Sequence, residues 1–109
     1  IFTALIVCFA VLGDMLELGE NALEIHKDLA DDLIENKIDL VFAVGENCGA
    51  MFDVLPERMR GAKASLSSEI APVVAATVKS GDTVLVKGSL GSEMVAVVDA
   101  LKNISNLSE

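Results

Sequence analysis

The chain has the length and composition of one folded domain: 109 residues, of which 52% are hydrophobic and 23% charged, with only two prolines. Its formal net charge of -9 leaves no basic surface for phosphate or anionic lipid, so we expect neither a nucleic acid nor a membrane as partner. The apolar stretch of residues 1–12 is too short to span a bilayer and lacks the basic start of a signal peptide. Cys8 and Cys48 form no CxxC or Cys/His pattern, which predicts reduced thiols, no metal site and a cytoplasmic location.

Buried-strand patterns alternate with helical patterns along the whole chain. In chain order we predict strand 4–12, helix 20–36, strand 40–44, helix 49–55, strand 62–66, helix 69–79, strand 82–87 and helix 92–103. In the third helix, Ser67 and Ser68 suit the N-cap, Pro72 falls in the first turn and Gly81 lies where the helix ends. The alternation predicts an α/β fold, a three-layer Rossmann-like domain over residues 1–109, whose mainly parallel sheet of four or more strands has helices on both faces.

Three glycine-rich loops follow predicted strands at residues 13–19, 45–49 and 88–92. Ligands bind beyond the carboxyl ends of the strands in such sheets, so these loops are the candidate binding segments. The second loop is interpreted as a tight turn. In the first, Asp14 and Glu17 could orient an amine or a cation, and capping of the following helix explains them equally well.

The third loop begins with Lys87 and contains Ser89 near the start of the last helix. A lysine and a helix N-terminus suit an anionic group such as a carboxylate or phosphate. A lysine extending toward solvent and a capping serine are the alternative interpretation. The phosphate-loop pattern GxxxxGK[ST] does not occur, so we expect no complete ATP site in this chain.

His26 is the only histidine, and the helical period places it on the apolar face of its helix. We therefore expect it to be at least partly buried. A core histidine bonded to the backbone is favoured over a ligand-contacting role, because no serine or cysteine nucleophile is identifiable beside it. Cys48 is not favoured as a nucleophile.

Several segments together resemble the C-terminal domain of the Mur ligases, the amide ligases of peptidoglycan precursor synthesis. They are residues 11–19 (VLGDMLELG), His26, residues 44–45 (VG), and residues 84–89 (VLVKGS) with Met94. The resemblance implies a fragment of a longer three-domain enzyme, whose middle domain holds ATP and magnesium and is closed over by this domain. It implies the step that adds D-Ala-D-Ala to the UDP-MurNAc-tripeptide through an acyl phosphate.

The resemblance also implies roles for individual residues. Lys87 and Ser89 would help to hold the carboxylate of the incoming dipeptide, and Asp14 with its loop would face the ligation centre. Glu17 and His26 are further candidates. The fragment alone is not expected to catalyse ligation.

Two other classes of protein share parts of this pattern. A receiver-like domain is also acidic and doubly wound, but it requires an acceptor aspartate after the third strand, and residues 65–68 offer none. A free-standing Rossmann-like module that uses the glycine-rich loops to bind a small anion is the stronger alternative.

Overall fold

The computed structural model describes residues 7–14, 20–88 and 93–107. Strands and helices alternate through these residues, as the sequence predicts, and a short 3-10 turn at Glu57–Met59 precedes the third strand. None of the helices in these ranges is long and apolar enough to cross a membrane. The elements are β1 (Cys8–Gly13), α1 (Ala22–Glu35), β2 (Leu40–Val44), α2 (Glu46–Asp53), β3 (Arg60–Ala64), α3 (Ser67–Thr77), β4 (Thr83–Lys87) and α4 (Val95–Leu107).

The four strands form one sheet in the order β3-β2-β1-β4, and every neighbouring pair is parallel. β1 is central, with Val11 paired to Phe42 of β2 on one side and to Val86 of β4 on the other. The predicted α/β class with a parallel sheet is confirmed.

Each face of the sheet has its own hydrophobic core, because successive side chains of a strand point to opposite faces. α1 and α2 cover one face over Ala10 and Leu12 of β1, while α3 and α4 cover the other over Phe9 and Val11. The helices on both faces explain why β1 is continuously apolar rather than alternating. Its residues from Phe9 onward are all buried.

The predicted start of the second helix at residue 49 is wrong, since α2 already begins at Glu46. No local N-cap signal precedes it, because the N-cap residue is Gly45. The amides of Asn47 and Cys48 instead donate hydrogen bonds to the carboxylate of Asp14, which is distant in sequence. Such a long-range cap is invisible to local pattern analysis.

The boundaries of the next two elements also lie two residues earlier than predicted. The 3-10 turn carries the chain directly into β3 at Arg60. α3 begins at Ser67, so the two serines lie inside the helix, and the N-cap residue is Leu66, whose amide donates to the Glu69 carboxylate at 3.1 Å. An acidic side chain at this third helical position provides that contact, in place of a serine at the cap.

Two further expectations for this helix are wrong. Pro72 lies in the second turn rather than the first, and its exposed ring is accommodated on the solvent side. α3 ends at Thr77, and Gly81, with φ of 93°, lies in the separate turn that leads into β4. Extended backbone at Val78 ends the helix before the glycine is reached.

The last helix differs from expectation at both of its ends. α4 starts at Val95 and continues to Leu107, beyond the predicted end at residue 103. Met94, expected inside the helix, lies buried in the turn before it. The part of the first predicted strand before Val7 lies outside the described residues.

Candidate functional site

The strand order creates a crevice between β1 and β4 at the carboxyl end of the sheet. From β1 the chain winds outward through β2 to β3, then crosses back to place β4 on the other side of β1. Doubly wound sheets bind ligands at such a reversal of winding direction, because the helices that follow the two neighbouring strands lie on opposite faces of the sheet and leave a crevice between the strand ends. Leu12 pairs with Lys87, so the loop that starts at Gly13 and the loop that starts at Gly88 leave the sheet side by side.

Asp14 lies at this crevice, but it points into the protein. It is 8% exposed, and its amide continues the sheet by donating to the carbonyl of Val44 at 3.1 Å. Its carboxylate accepts from the amide of Cys48 at 2.8 Å and from the amide of Asn47 at 3.2 Å. These are the second and third residues of α2, so Asp14 caps that helix from another strand, as an N-cap side chain would from within the chain.

Gly45 makes room for this arrangement. Its φ of 98° lies in a region that favours glycine, and a Cβ there would sit 2.5 Å from Cγ of Asp14. The amide of Gly45 donates to the carbonyl of Ala64 at 2.9 Å, which carries the hydrogen bonding of β2 and β3 into the turn. The predicted second loop is therefore a turn at Gly45 alone, because residues 46–49 form the first turn of α2, and this turn leaves room for the Asp14 carboxylate.

His26 and Cys48 complete a buried cluster with Asp14. His26 is fully buried, which confirms its predicted burial, and Cys48 is 1% exposed. One donor atom from each of the three side chains lies within 4.8 Å of the other two. The sequence did not predict that Cys48 belongs to this group, because positions 14, 26 and 48 form no recognisable spacing.

The thiol of Cys48 is protonated in this environment. Burial, followed by the charge of Asp14 and a hydrogen bond to its carboxylate, raises the pKa of Cys48 from 9.0 to about 12. Carboxylate, imidazole and thiolate can together bind zinc. In the described structure the carboxylate accepts from the two α2 amides and from the thiol, so the three side chains form a buried polar cluster.

Lys87 is the exposed cation of the crevice. It ends β4 next to a cavity of about 260 Å³, which is lined by residues of this edge strand and by residues of α1 and its C-terminal end. The other lysine near this edge of the described structure, Lys63, bonds to Asp53 at 2.8 Å. The cavity walls are mainly apolar, and the residues that line it are Leu12, Gly13, Leu29, Asp32, Leu33, Asn36, Ile38, Cys48, Leu85 and Lys87.

The structure therefore separates the predicted site residues. It places Asp14 and Lys87 on adjacent strand ends, one buried and one exposed, and it brings His26 to Asp14. Glu17 and Ser89 lie outside the described residues. In the described part of the crevice the Asp14 carboxylate accepts from the α2 amides, and the sequence contains no phosphate loop.

Comparison with known families decides the ancestry of the chain. Residues 7–90 match the family described as Mur ligase, glutamate ligase domain. The chain belongs to this family. The match spans all four strands and the loop of residues 13–19, so the Mur ligase resemblance inferred from the loop residues is confirmed and the receiver-like alternative is excluded.

Two curated members of the Mur ligase family carry the same name, UDP-N-acetylmuramoyl-tripeptide--D-alanyl-D-alanine ligase. The protein from Rickettsia prowazekii is 26% identical over 90 residues, which are 83% of this chain and 20% of that protein. The protein from Haemophilus influenzae is 28% identical over 94 residues, which are 84% of this chain and 21% of that protein. The chain thus spans about a fifth of the length of these ligases.

Solved structures of Mur ligases share the fold. The MurF ligase of Thermotoga maritima in complex with ADP superposes with a TM-score of 0.71 at 28% identity, covering 95% of this chain and 23% of that one. MurF from Acinetobacter baumannii superposes with a TM-score of 0.71 at 25% identity, covering 87% of this chain and 22% of that one. This agreement extends the family assignment to the three-dimensional arrangement of the sheet.

Proposed function

We propose that this chain is the C-terminal domain of an ATP-dependent ligase that adds D-Ala-D-Ala to the UDP-MurNAc-tripeptide in peptidoglycan precursor synthesis. The observation that carries the proposal is that two ligases named for this reaction match more than four fifths of the chain. The crevice adds physical support, because it presents Lys87 beside the loop that starts at Gly13. The whole chain, residues 1–109, would form this single domain of a three-domain enzyme.

In the proposed enzyme, the exposed ammonium group of Lys87 attracts the carboxylate of the incoming dipeptide, and Ser89 adds a hydroxyl donor. Asp14 holds the first loop at the crevice, and Glu17 on that loop is a further candidate for contact with substrate. ATP and magnesium bind mainly to the central domain, and ATP supplies the phosphoryl group that activates the tripeptide carboxylate. The central domain is thus the principal protein partner. Its closure with this domain excludes water and aligns the amine of the dipeptide with the activated carboxylate of the tripeptide.

The setting of the proposed enzyme follows from its substrates. A UDP-linked precursor and ATP imply a cytoplasmic enzyme, and the two free cysteines of the chain suit a reducing compartment.

The role of Lys87 can be tested in the full-length enzyme. Lys87→Ala should raise the Michaelis constant for D-Ala-D-Ala by about 10- to 100-fold, since a hydrogen bond to a charged group contributes about 1.5–3 kcal/mol. Steady-state kinetics at varied dipeptide concentration would measure this. Lys63→Ala is the matched control, because Lys63 lies near the same edge but is paired with Asp53. An unchanged constant for Lys87→Ala would remove Lys87 from the site.

A small-anion-binding module is the second candidate function. It is favoured by the exposed Lys87 beside the cavity, whose mainly apolar lining includes one carboxylate, Asp32. Calorimetric titration of the isolated chain with D-Ala-D-Ala and with ADP would separate the two functions. Tight binding by the isolated chain, without ligase activity in the full-length protein, would favour the module.

A further inference from the structure

The buried cluster of Asp14, His26 and Cys48 joins three parts of the chain at the crevice. Asp14 directly follows β1, His26 lies in the second turn of α1, and Cys48 lies in the first turn of α2. All three side chains are at least 92% buried, and their donor atoms lie within 4.8 Å of one another. Side chains as polar as these are rare in a core this small, where every donor and acceptor needs a partner.

The cluster has a definite topological role. The described part of β1 ends at Asp14, and in α1 a ring nitrogen of His26 lies within 4.8 Å of an oxygen of the same carboxylate. This approach joins the end of β1 to the second turn of α1. The same carboxylate also holds the start of α2 through the amides of Asn47 and Cys48. One buried carboxylate at the end of β1 thus bonds to the start of α2 and lies beside His26 of α1.

An apolar core would stabilise the domain without this directional control. Replacing buried polar groups by well-packed apolar ones is often neutral or stabilising, whereas hydrogen bonds impose a particular geometry. Lys87 lies on the neighbouring strand end, paired with Leu12 two residues before Asp14. A shift of Asp14 would thus move the first loop relative to the cation of the crevice.

We propose that His26 is a positioning residue: its buried ring holds the Asp14 carboxylate and thereby fixes the base of the first loop against α2 and beside Lys87. This role rests on the proposed ligase function, and it assigns His26 no contact with substrate. Displacement of a reacting group by about 1 Å can cost about 10²-fold in rate, so a change at the loop base is expected to appear in catalysis.

The test uses three variants of the full-length enzyme. His26→Leu removes both ring nitrogens at similar volume, while His26→Asn and His26→Gln each place an amide donor near one of the two nitrogen positions. We expect His26→Leu to lower kcat by about 10²-fold, with a change of less than about threefold in the Michaelis constant for D-Ala-D-Ala, because Lys87 is retained. One of the two amide variants should recover most of kcat.

A control separates positioning from general stability. Val97→Ala creates a cavity in the opposite core, under α4, and lies far from the cluster. It should lower the unfolding temperature while leaving kcat of the folded enzyme within about twofold, since distant core sites act independently. If His26→Leu behaves like Val97→Ala, His26 has only a stabilising role and the proposal is overturned.

A measurement on the wild-type protein does not depend on the folding of any variant. In the NMR spectrum, the His26 ring should have one slowly exchanging N–H proton, and the Asn47 and Cys48 amides should be shifted downfield by the carboxylate. Stoichiometric binding of Zn²⁺ or Cd²⁺ with loss of that ring proton would overturn the proposal in favour of a metal site. A wild-type enzyme without ligase activity would instead refute the proposed function, and with it the catalytic part of this inference.

Discussion

At the scale of single residues, Gly45 shows how backbone and side chain depend on each other at the crevice. Its positive φ allows the turn from β2 into α2, and its missing Cβ leaves space for the carboxylate of Asp14. Gly81 shares the positive φ, of 93°, but a Cβ there would meet no atom within 4 Å. A comparison of substitutions at the two glycines can thus distinguish the cost of backbone strain from the cost of a steric clash.

Gly45→Ala should therefore destabilise the chain more than Gly81→Ala. Strain at this kind of backbone angle costs about 1–3 kcal/mol at either position, and Gly45→Ala also displaces the buried carboxylate, which should add about 1–3 kcal/mol. Urea unfolding of the two variants would measure the difference. Equal losses of unfolding free energy would mean that Asp14 moves aside without cost.

Cys48 predicts how stability depends on pH. Its pKa is raised from 9.0 to about 12 by burial and by Asp14, so the folded protein holds the thiol proton more tightly than the unfolded chain does. The resulting contribution to stability is fully present below pH 9 and is lost as the pH rises toward 12, by about 1.4 kcal/mol per pH unit. Urea unfolding between pH 8 and pH 11 would measure this slope.

The control for this prediction is Cys48→Ala, which lacks the titrating thiol. The other groups that titrate at alkaline pH are the same in both proteins, so the difference between their slopes isolates Cys48. Parallel slopes for the two proteins would contradict the raised pKa.

At the scale of elements, α2 is a helix whose first turn is supported by another strand. Its N-cap residue is a glycine and provides no side-chain acceptor. Asp14 supplies the missing acceptor for Asn47 and Cys48 from the end of β1. The position where α2 begins is consequently a property of the folded sheet and not of the local sequence.

Removing the Asp14 carboxylate should destabilise the first turn of α2 and let solvent reach its amides. Asp14→Ala is expected to cost about 2–3 kcal/mol, because the buried Cys48 amide and the partly buried Asn47 amide lose a charged partner. Hydrogen exchange at the Asn47 and Cys48 amides should accelerate more than exchange in α3. Amide exchange measured by NMR, together with urea unfolding, tests both statements.

Asp39 provides the matched comparison at the opposite end of β1. Its exposed carboxylate accepts from the amide of Cys8 at 2.7 Å. Asp39→Ala should cost only about 0.5–1 kcal/mol, since water can replace the lost acceptor. Similar costs for the two aspartates would show that burial adds nothing to the cap at Asp14.

At the scale of the whole molecule, the strand order brings Asp14 and Lys87 to neighbouring strand ends although 72 residues separate them in the chain. The crevice presents Lys87 outward and keeps Asp14 inward, so its described residues offer a contact for an anion and no complete catalytic apparatus. This agrees with a domain that acts on substrates together with another domain.

The isolated chain should therefore show no ATP turnover. It contains no phosphate loop, and the Asp14 carboxylate at the crevice accepts hydrogen bonds from two amides of α2. Phosphate release measured with ATP, magnesium, D-Ala-D-Ala and the UDP-linked tripeptide should stay at the buffer background. The full-length enzyme is the positive control, and turnover by the chain alone would contradict the proposed division between domains.

The sequence by itself determined the α/β class, the alternation of strands and helices, the burial of His26 and the Mur ligase ancestry. These follow from local signals: apolar runs for strands buried on both faces, a helical period around His26, and short motifs in two loops. Hydrophobic periodicity is encoded within a few residues, which is why it could be interpreted without the fold.

Only the tertiary structure decided the strand order, the start of α2 and the joining of Asp14, His26 and Cys48. Each of these depends on contacts between segments that lie far apart in the chain. Asp14 looked equally suited to a ligand or to the next helix, and the sheet assigned it to α2 instead. The hydrogen bonds of the buried Asp14 carboxylate depend on which amides the fold brings within hydrogen-bonding distance, here 2.8 and 3.2 Å, and the spacing of residues in the sequence does not reveal that distance.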